Sequence, residues 1–276
     1  MIGIGKNIFK SNVKVGSTAP VYDADAQAYF TANTSITSAA DKNAINTFYL
    51  GLKSDGIYTK LKAMYLPIWG SATSSKWNLI NPLDTDAAFR LNFTTGWTYA
   101  SNGITPTIAY ANTFFNPSVQ LSLTSNHISS YIQTSRAAAI STPIGARVTG
   151  TVSAINIFPR TTGDVFRHFN NISGYIDISS TETKGFFIGA RNGGTTYYNA
   201  KNGITNNGLS TATTAVNQNF WIGATASGSP GSPTAFYNET ARTSFYSIGD
   251  GLSITDITNF NTRVNTLMTY FGINVY

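Results

Sequence analysis

Cysteine is absent from all 276 residues, and no stretch is either long and apolar or densely charged. Without cysteine there is neither a disulfide framework nor a thiolate metal site. No apolar run reaches the ~18 residues that a membrane-spanning helix requires. The opening residues, MIGIGKNIFKSNVKVGSTAP, contain no continuous apolar core of the secretory type. Charge is scarce: Asp, Glu, Lys and Arg make up 11% of the chain, against a usual ~25%. Glutamate occurs only as Glu182 and Glu239, and histidine only as His127 and His168. The net charge of +6 and pI near 9.4 would suit nucleic acid. However, the 18 basic residues are scattered and form no basic arm, basic helix or aromatic-basic interleaving, so no nucleic-acid partner is expected.

Ser, Thr, Asn and Gly stand where Lys and Glu usually cover a surface, a profile of rigid extracellular or virion surfaces rather than of a cytosolic enzyme. With 42% hydrophobic and 13% aromatic residues the chain can bury a sizeable core, enough for one large β domain or two small ones. The pattern divides it into an N-terminal arm or attachment segment over 1–20, a helical segment over 21–70 and a β-rich part with a C-terminal helix over 71–276. In the helical segment Asp23 can cap ADAQAYFTAN. Ser38, with Asp41 three residues on, resembles a capping box. Ala40, Ala44, Ile45, Phe48 and Leu52 then share one face at helical spacing. Gly56 breaks that helix, and IYTKLKAMYL is expected to add a turn or two of helix before Pro67. This segment is expected to pack on the sheet or on a neighbouring subunit.

From Lys76 onward the punctuation is that of strands. AAFRLNF alternates, with Phe89, Leu91 and Phe93 on one face. VQLSLTS, HISSYIQTS, ARVTGTVSAINIF, DVFRHFN and GYIDIS follow at the short, regular spacing of an antiparallel sandwich or barrel. Three related phrases then occur: GFFIGARNGG from Gly185, NFWIGATASG from Asn219 and, more loosely, SFYSIGDGLS from Ser244. In the first, Phe186 and Ile188 point one way and Phe187 and Gly189 the other. The glycine after Ile lets a backbone or a bulky ring approach. The phrases read as successive antiparallel strands, and Asn202-Gly203 reads as a tight hairpin turn between the first two. The third leads into a helix with a Ser253–Asp256 cap. Its apolar stripe is Ile254, Ile257, Phe260, Val264, Leu267, Met268 and Phe271, and Gly272 ends it.

GFFIGAR, YYNAKNGI, NFWIGAT and SFYSIGDGLSITDITNFNTRVNTLMTYFG, in that order, resemble the second half of a laminin-G-like, concanavalin A-like domain. With DADAQAYF, INTFYLGLKSDGIYTKLKAMYLPIWG, KWNL and DTDAAFRLNF, the resemblance covers most of residues 21–272. That longer set looks like a module of bacteriophage tail, fibre, spike or other surface proteins. It implies a mainly β fold, an antiparallel concanavalin A-like β-sandwich (jelly roll) with a small N-terminal helical segment and a C-terminal helix. An outward-facing composition without an export address fits a phage protein that folds in the bacterial cytoplasm and reaches the virion surface by lysis. A cleaved leader missing from the sequence would reconcile the two as well, but the sequence starts at Met1.

The superfamily includes glucanases, which carry paired acids alternating on one strand as acid and nucleophile. Here Asp177 and Glu182 are too far apart to share a strand face at neighbouring positions, so no catalysis is expected. His127 and His168, alone on their strands, read as surface or hydrogen-bonded strand residues. Asp84, Asp86 and Asp250 carry oxygens that would suit Ca²⁺, but they read first as turn residues, and no cofactor is expected. The N-x-Ser/Thr sequons at Asn33, Asn92, Asn171 and Asn238 follow from composition.

Sugar recognition sets aromatic faces against C–H surfaces and amides or guanidinium groups against hydroxyls. The candidates for it are Trp97, Tyr99, Arg191, Asn192, Tyr197 and Tyr198, each also open to a packing role. Trp69 and Trp77 read as structural. The leading expectation is a virion adhesin that recognises a host cell-surface receptor, most plausibly glycan. It would be anchored to other virion proteins through its N-terminal region and act as a homo-oligomer, first of all a trimer. A structural or decoration protein of capsid or tail is the alternative, and a polysaccharide-cleaving enzyme the third.

Overall fold

Asp23 and Ser38 each accept a hydrogen bond from a backbone N–H two or three residues on, starting α1 (Ala24–Ala32) and α2 (Ala39–Ser54). The computed structural model describes residues 21–148, 153–171, 175–229 and 232–276. The arm read over 1–20 lies outside the described residues, as do residues 149–152 of the segment ARVTGTVSAINIF. After a 3₁₀ turn at Tyr58–Lys60 the chain enters β1 (Leu61–Tyr65). That overturns the expectation of further helix in IYTKLKAMYL. Four of its five residues are buried, so it shows no polar alternation, and Leu, Lys, Ala and Met are all good helix formers.

The chain continues through α3 (Ala72–Ser75), β2 (Asn92–Phe93), β3 (Trp97–Ala100), β4 (Gly103–Pro106), β5 (Ala111–Asn112) and α4 (Pro117–Gln120). Next come β6 (Ser125–Ile132), β7 (Ile144–Arg147), β8 (Ala154–Phe158), β9 (Val165–Asn170) and β10 (Asp177–Ser179). Strands β11 (Gly185–Asn192), β12 (Thr196–Lys201), β13 (Ile204–Leu209), β14 (Trp221–Ile222), β15 (Thr225–Ser229), β16 (Ser232–Phe236) and β17 (Thr243–Gly249) lead to α5 (Ile254–Tyr270). Two expected strands are shorter than read. AAFRLNF is a 3₁₀ turn plus a left-handed Phe89 (φ 60°) before the two residues of β2. Val119 of VQLSLTS sits in α4, which Pro117 and the Asn116 cap begin.

An inner sheet has the order β13-β12-β11-β6-β17-β4-β3, with β1 also paired to β17. An outer sheet runs β10-β9-β8-β7-β14-β5-β2, with the β15–β16 hairpin beside β7. Pairing is antiparallel except where β15 meets β7. Between the sheets, Ile128, Phe187, Tyr246 and Ile248 meet Ile144, Ile155, Phe166 and Phe220. The other face of the inner sheet carries Tyr131, Phe186, Ile188 and Phe245 beneath α1, α2 and α5. The fold is thus the expected mainly β sandwich, with a helical layer on one of its two sheets.

The repeated phrases occupy β11, β14 and β17, so the first two lie in different sheets rather than on successive strands. Their glycines nevertheless do what the phrase implies. A Cβ at Gly189 would fall within the His168 ring; at Gly223 it would lie 2.7 Å from the Trp97 ring, and at Gly249 2.7 Å from the His127 ring. Each glycine admits one aromatic edge into a buried interface. Asn202 (φ 53°) and Gly203 (φ 82°) form the left-handed pair of a tight hairpin joining β12 to β13.

The α5 cap is reciprocal. The Ser253 hydroxyl accepts from Asp256 N–H, while the Asp256 carboxylate accepts from Ser253 N–H at 2.7 Å and from Lys60. Ile257, Phe260, Val264, Leu267 and Met268 are buried as expected, whereas Ile254 faces solvent. Ser253→Ala is expected to cost about 1 kcal/mol, read as a lower urea midpoint with unchanged slope. An unchanged midpoint would show that the cap contributes nothing.

Candidate functional site

The two sheets come together at one edge of the sandwich, where β2 ends the outer sheet and β3 the inner one. Trp97 and Tyr99, two apart on β3, share a face there, and Phe93 of β2 packs edge-on against both at 5.4 Å. All three rings are half-buried against the inter-sheet core, leaving part of each ring at the rim. Trp97 Nε1–H donates to the Tyr110 carbonyl at 3.3 Å, and its ring seats on Gly223. Tyr110 in turn stacks on Trp221 at 3.7 Å, nearly parallel. Burial raises the Tyr99 hydroxyl to about 12, so it stays protonated as a donor. Phe93 and Tyr110 belong to this rim but were not among the sugar-binding candidates read from sequence. Their partners lie on other strands, so no local pattern announces them.

Arg191, Asn192, Tyr197 and Tyr198 lie elsewhere. Five inter-strand spacings separate β3 from β12 in the inner sheet, about 24 Å at ~4.8 Å each. The six sequence candidates therefore do not form one site. Arg191 is fully enclosed and donates through Nη1 to the carbonyls of Gly194 (3.1 Å) and Ser210 (2.7 Å). Its guanidinium lies 5.5 Å from the Tyr197 ring and ties the β11–β12 loop to the sheet, with no face turned to solvent. Tyr197 is buried toward the outer sheet, while Tyr198 packs on the helical side. Asn192 alone of the four is exposed.

The carboxylates read for calcium are held by cations. Asp84 pairs with Lys76 and Arg90, Asp86 with Arg90, and Asp250 with Lys62. Hydrogen bonds from Lys76 and Arg90 hold the Asp84 carboxyl below its ordinary value. Among the described residues no three His, Asp or Glu converge on one point. Glu239 is enclosed by Arg136 Nε at 2.8 Å, the Ser141 hydroxyl and the N–H groups of Thr240 and Ala241. Glu182 is exposed beside Lys184.

His127 lies in a buried relay. Its Nδ1–H faces the Asp250 carbonyl at 2.6 Å, and Nε2 accepts from the Ser247 hydroxyl at 3.1 Å. Ser247 in turn sits 2.6 Å from the Ser129 hydroxyl. The relay is sealed beneath Phe260, so its serines have no open side. His168 is enclosed between the sheets against Gly189.

No family model matches the sequence, and neither does any curated protein. Solved structures do match in fold. Domain 4 of AbnA, a GH43 extracellular arabinanase from Geobacillus stearothermophilus, in complex with arabinotriose, has a TM-score of 0.51 at 12% identity. That match covers 73% of this chain and 98% of that domain. Trypanosoma rangeli sialidase, in complex with 2,3-difluorosialic acid, has a TM-score of 0.52 at 10% identity. It covers 82% of this chain and 40% of the sialidase, so this chain spans about two fifths of that enzyme. At these identities the likeness is one of fold: a β-sandwich shared with carbohydrate-binding and glycosidase domains.

Proposed function

We propose that this chain is a non-catalytic glycan-binding domain displayed on a bacteriophage virion, where it recognises a host cell-surface receptor. The observation that carries the reading is the half-exposed Phe93–Trp97–Tyr99 cluster at the rim of a lectin-type sandwich. Aromatic faces there can pack on the C–H surface of a sugar, and exposed Asn92 and Thr98 flank them with hydrogen-bonding groups. A surface dressed in Ser, Thr and Asn suits a protein facing outward. The acids are engaged or dispersed rather than paired across an open cleft, which supports binding without cleavage. Weak sites of this kind gain from repetition, and a homotrimer would raise avidity by ~10²–10⁴.

Tyr99 is the residue to test, because Trp97 also closes the end of the inter-sheet core. Tyr99→Ala is expected to weaken glycan-array binding and host-cell adsorption about tenfold, equivalent to about 1.4 kcal/mol, with a native melting curve. Full adsorption by a folded variant would remove the rim from the proposal. Release of reducing sugar from host polysaccharide by the unaltered protein would replace binding with catalysis.

A further inference from the structure

The strands at the ends of the two main ladders are not alike. β2, β10 and β3 are two, three and four residues long, and Asp177 of β10 is held in an ion pair with Arg167. Short or charged ends of this kind keep sheets from pairing edge to edge. β13 is six residues long, ITNNGL, and pairs with β12 without a bulge from Thr196↔Leu209 to Lys201↔Ile204. It carries neither charge nor proline, and no Asp, Glu, Lys or Arg occurs between Lys201 and Glu239. Ile204 and Leu209 are 70% and 76% exposed, and among the described residues β12 is the one ladder partner of β13.

Two hydrogen bonds fix which backbone groups of this edge are free. Asn202 N–H donates to the Phe186 carbonyl of β11, and Ser210 N–H to the Thr195 carbonyl, both at 2.9 Å. An antiparallel ladder turns alternate residues toward opposite neighbours. Ile204, Asn206 and Gly208 therefore bond to β12, while Thr205, Asn207 and Leu209 turn their N–H and C=O groups outward. Asn207 N–H accordingly meets no ladder carbonyl and donates to the Asn206 side-chain oxygen at 3.0 Å. Such a row of outward groups is a template for a further strand.

We infer that β13 pairs antiparallel with β13 of a second copy of this chain, about a two-fold axis at Asn207, so that the inner sheet runs on from one molecule into the next. That axis sets Thr205 of each copy opposite Leu209 of the other, and Asn207 opposite itself. The outward groups of all three residues are then satisfied by about six backbone hydrogen bonds. Leu209 gains the Thr205 methyl as a neighbour, and the two Asn207 amides meet. The neutral edge favours a neutral partner. A second copy brings no like charge to it despite a net charge of +6, whereas an acidic or basic peptide would find nothing there to pair with. The pairing is independent of the glycan reading. A two-fold contact closes at two copies, so a trimer would need a different surface.

Sedimentation equilibrium of the full chain is expected to show a monomer–dimer equilibrium with a dissociation constant on the order of 10 μM, the range of a small transient interface. Amide exchange should slow at Thr205, Asn207 and Leu209 as the concentration rises, and stay unchanged at Asn206 and Gly208, which β12 already protects. Asn207 is exposed, so Asn207→Lys and Asn207→Asp should both keep the parent melting temperature. Each places like charges opposite one another on the axis and is expected to weaken the dimer about tenfold at low salt. An equimolar mixture of the two variants is expected to recover it as a heterodimer. A parent that stays monomeric, an odd-numbered oligomer, or a dimer that both variants leave unchanged overturns the pairing. Loss of the dimer in both variants without recovery in the mixture overturns the two-fold register at Asn207.

Discussion

Acidification from about pH 7.5 to about pH 4.5 is expected to remove on the order of 5 kcal/mol of stability, a large share of what a domain of this kind has. Both histidines are fully enclosed. Burial holds His127 down at about 4, although the Asp250 carbonyl and the nearby Asp250 and Asp256 charges favour its protonation and Lys60 opposes it. Burial and then the Arg191 charge hold His168 down at about 3, with Asn199 acting the other way. An unfolded histidine takes its proton near pH 6.5. Between there and the folded values the unfolded chain binds two protons that the folded chain refuses. Their contribution is therefore complete above about pH 6.5 and is lost as the pH falls. The depressed carboxylates Asp23, Asp55, Asp84 and Asp256 act at lower pH, because their share is lost only below an ordinary value of 3.8. Urea unfolding at the two pH values reads the effect, and His168→Phe should remove about half of the difference. Superimposable transitions at both pH values would refute it.

Phe260→Ala is expected to cost about 3–5 kcal/mol and to lower the melting temperature by about 10 °C. Phe260 projects from the middle of α5 into a ring cluster: Phe186 at 5.5 Å, Phe245 at 5.9 Å and His127 at 6.2 Å. It is fully buried, and truncation would leave a void between two strands and a helix that cannot close together. The same substitution would also hydrate the His127–Ser247 relay and let His127 take its proton in the folded state, so the cost of the substitution should shrink on acidification. A melting temperature within a degree of the parent would mean that α5 is not packed on the sheet in solution.

Where one face of an element is dry and the other wet, its pattern was readable. The caps at Asp23, Ser38 and Ser253, the stripe of α5 and the Asn202-Gly203 hairpin are local signals with local causes, and all appear in the structure. β1 was misread because Leu61 and Met64 face the helices while Ala63 and Tyr65 face the outer sheet, leaving no polar side to mark a period of two. AAFRLNF alternates for a different reason. Its carbonyls are claimed from afar, Phe89 by the Tyr65 hydroxyl and Ala88 by Asn78, so a turn forms where a strand was read. The site was less legible still. Arg191 sits in a Gly-rich context that suggests exposure, and only the carbonyls of Gly194, in the β11–β12 turn, and Ser210, just after β13, show why it is enclosed. Trp97 and Tyr99 did come together, yet Phe93 joins them only because two sheets close at that edge.

The pairing of β1 with β17 sets the order in which the molecule can be made. Leu61 registers with Gly249 and Tyr65 with Tyr246, so the middle of the inner sheet is closed by segments some 180 residues apart in sequence. A ribosome must therefore release residues 243–249 before β1 has a partner, and α5 must follow before the helical face of the sheet is dry. During synthesis the apolar strands β1, β6 and β11 wait unshielded, and closing so long a loop is slow. Assembly of this fold consequently waits for residues 243–270 to leave the ribosome, and until then the growing chain relies on its net charge of +6 and abundant hydroxyl groups to stay dispersed.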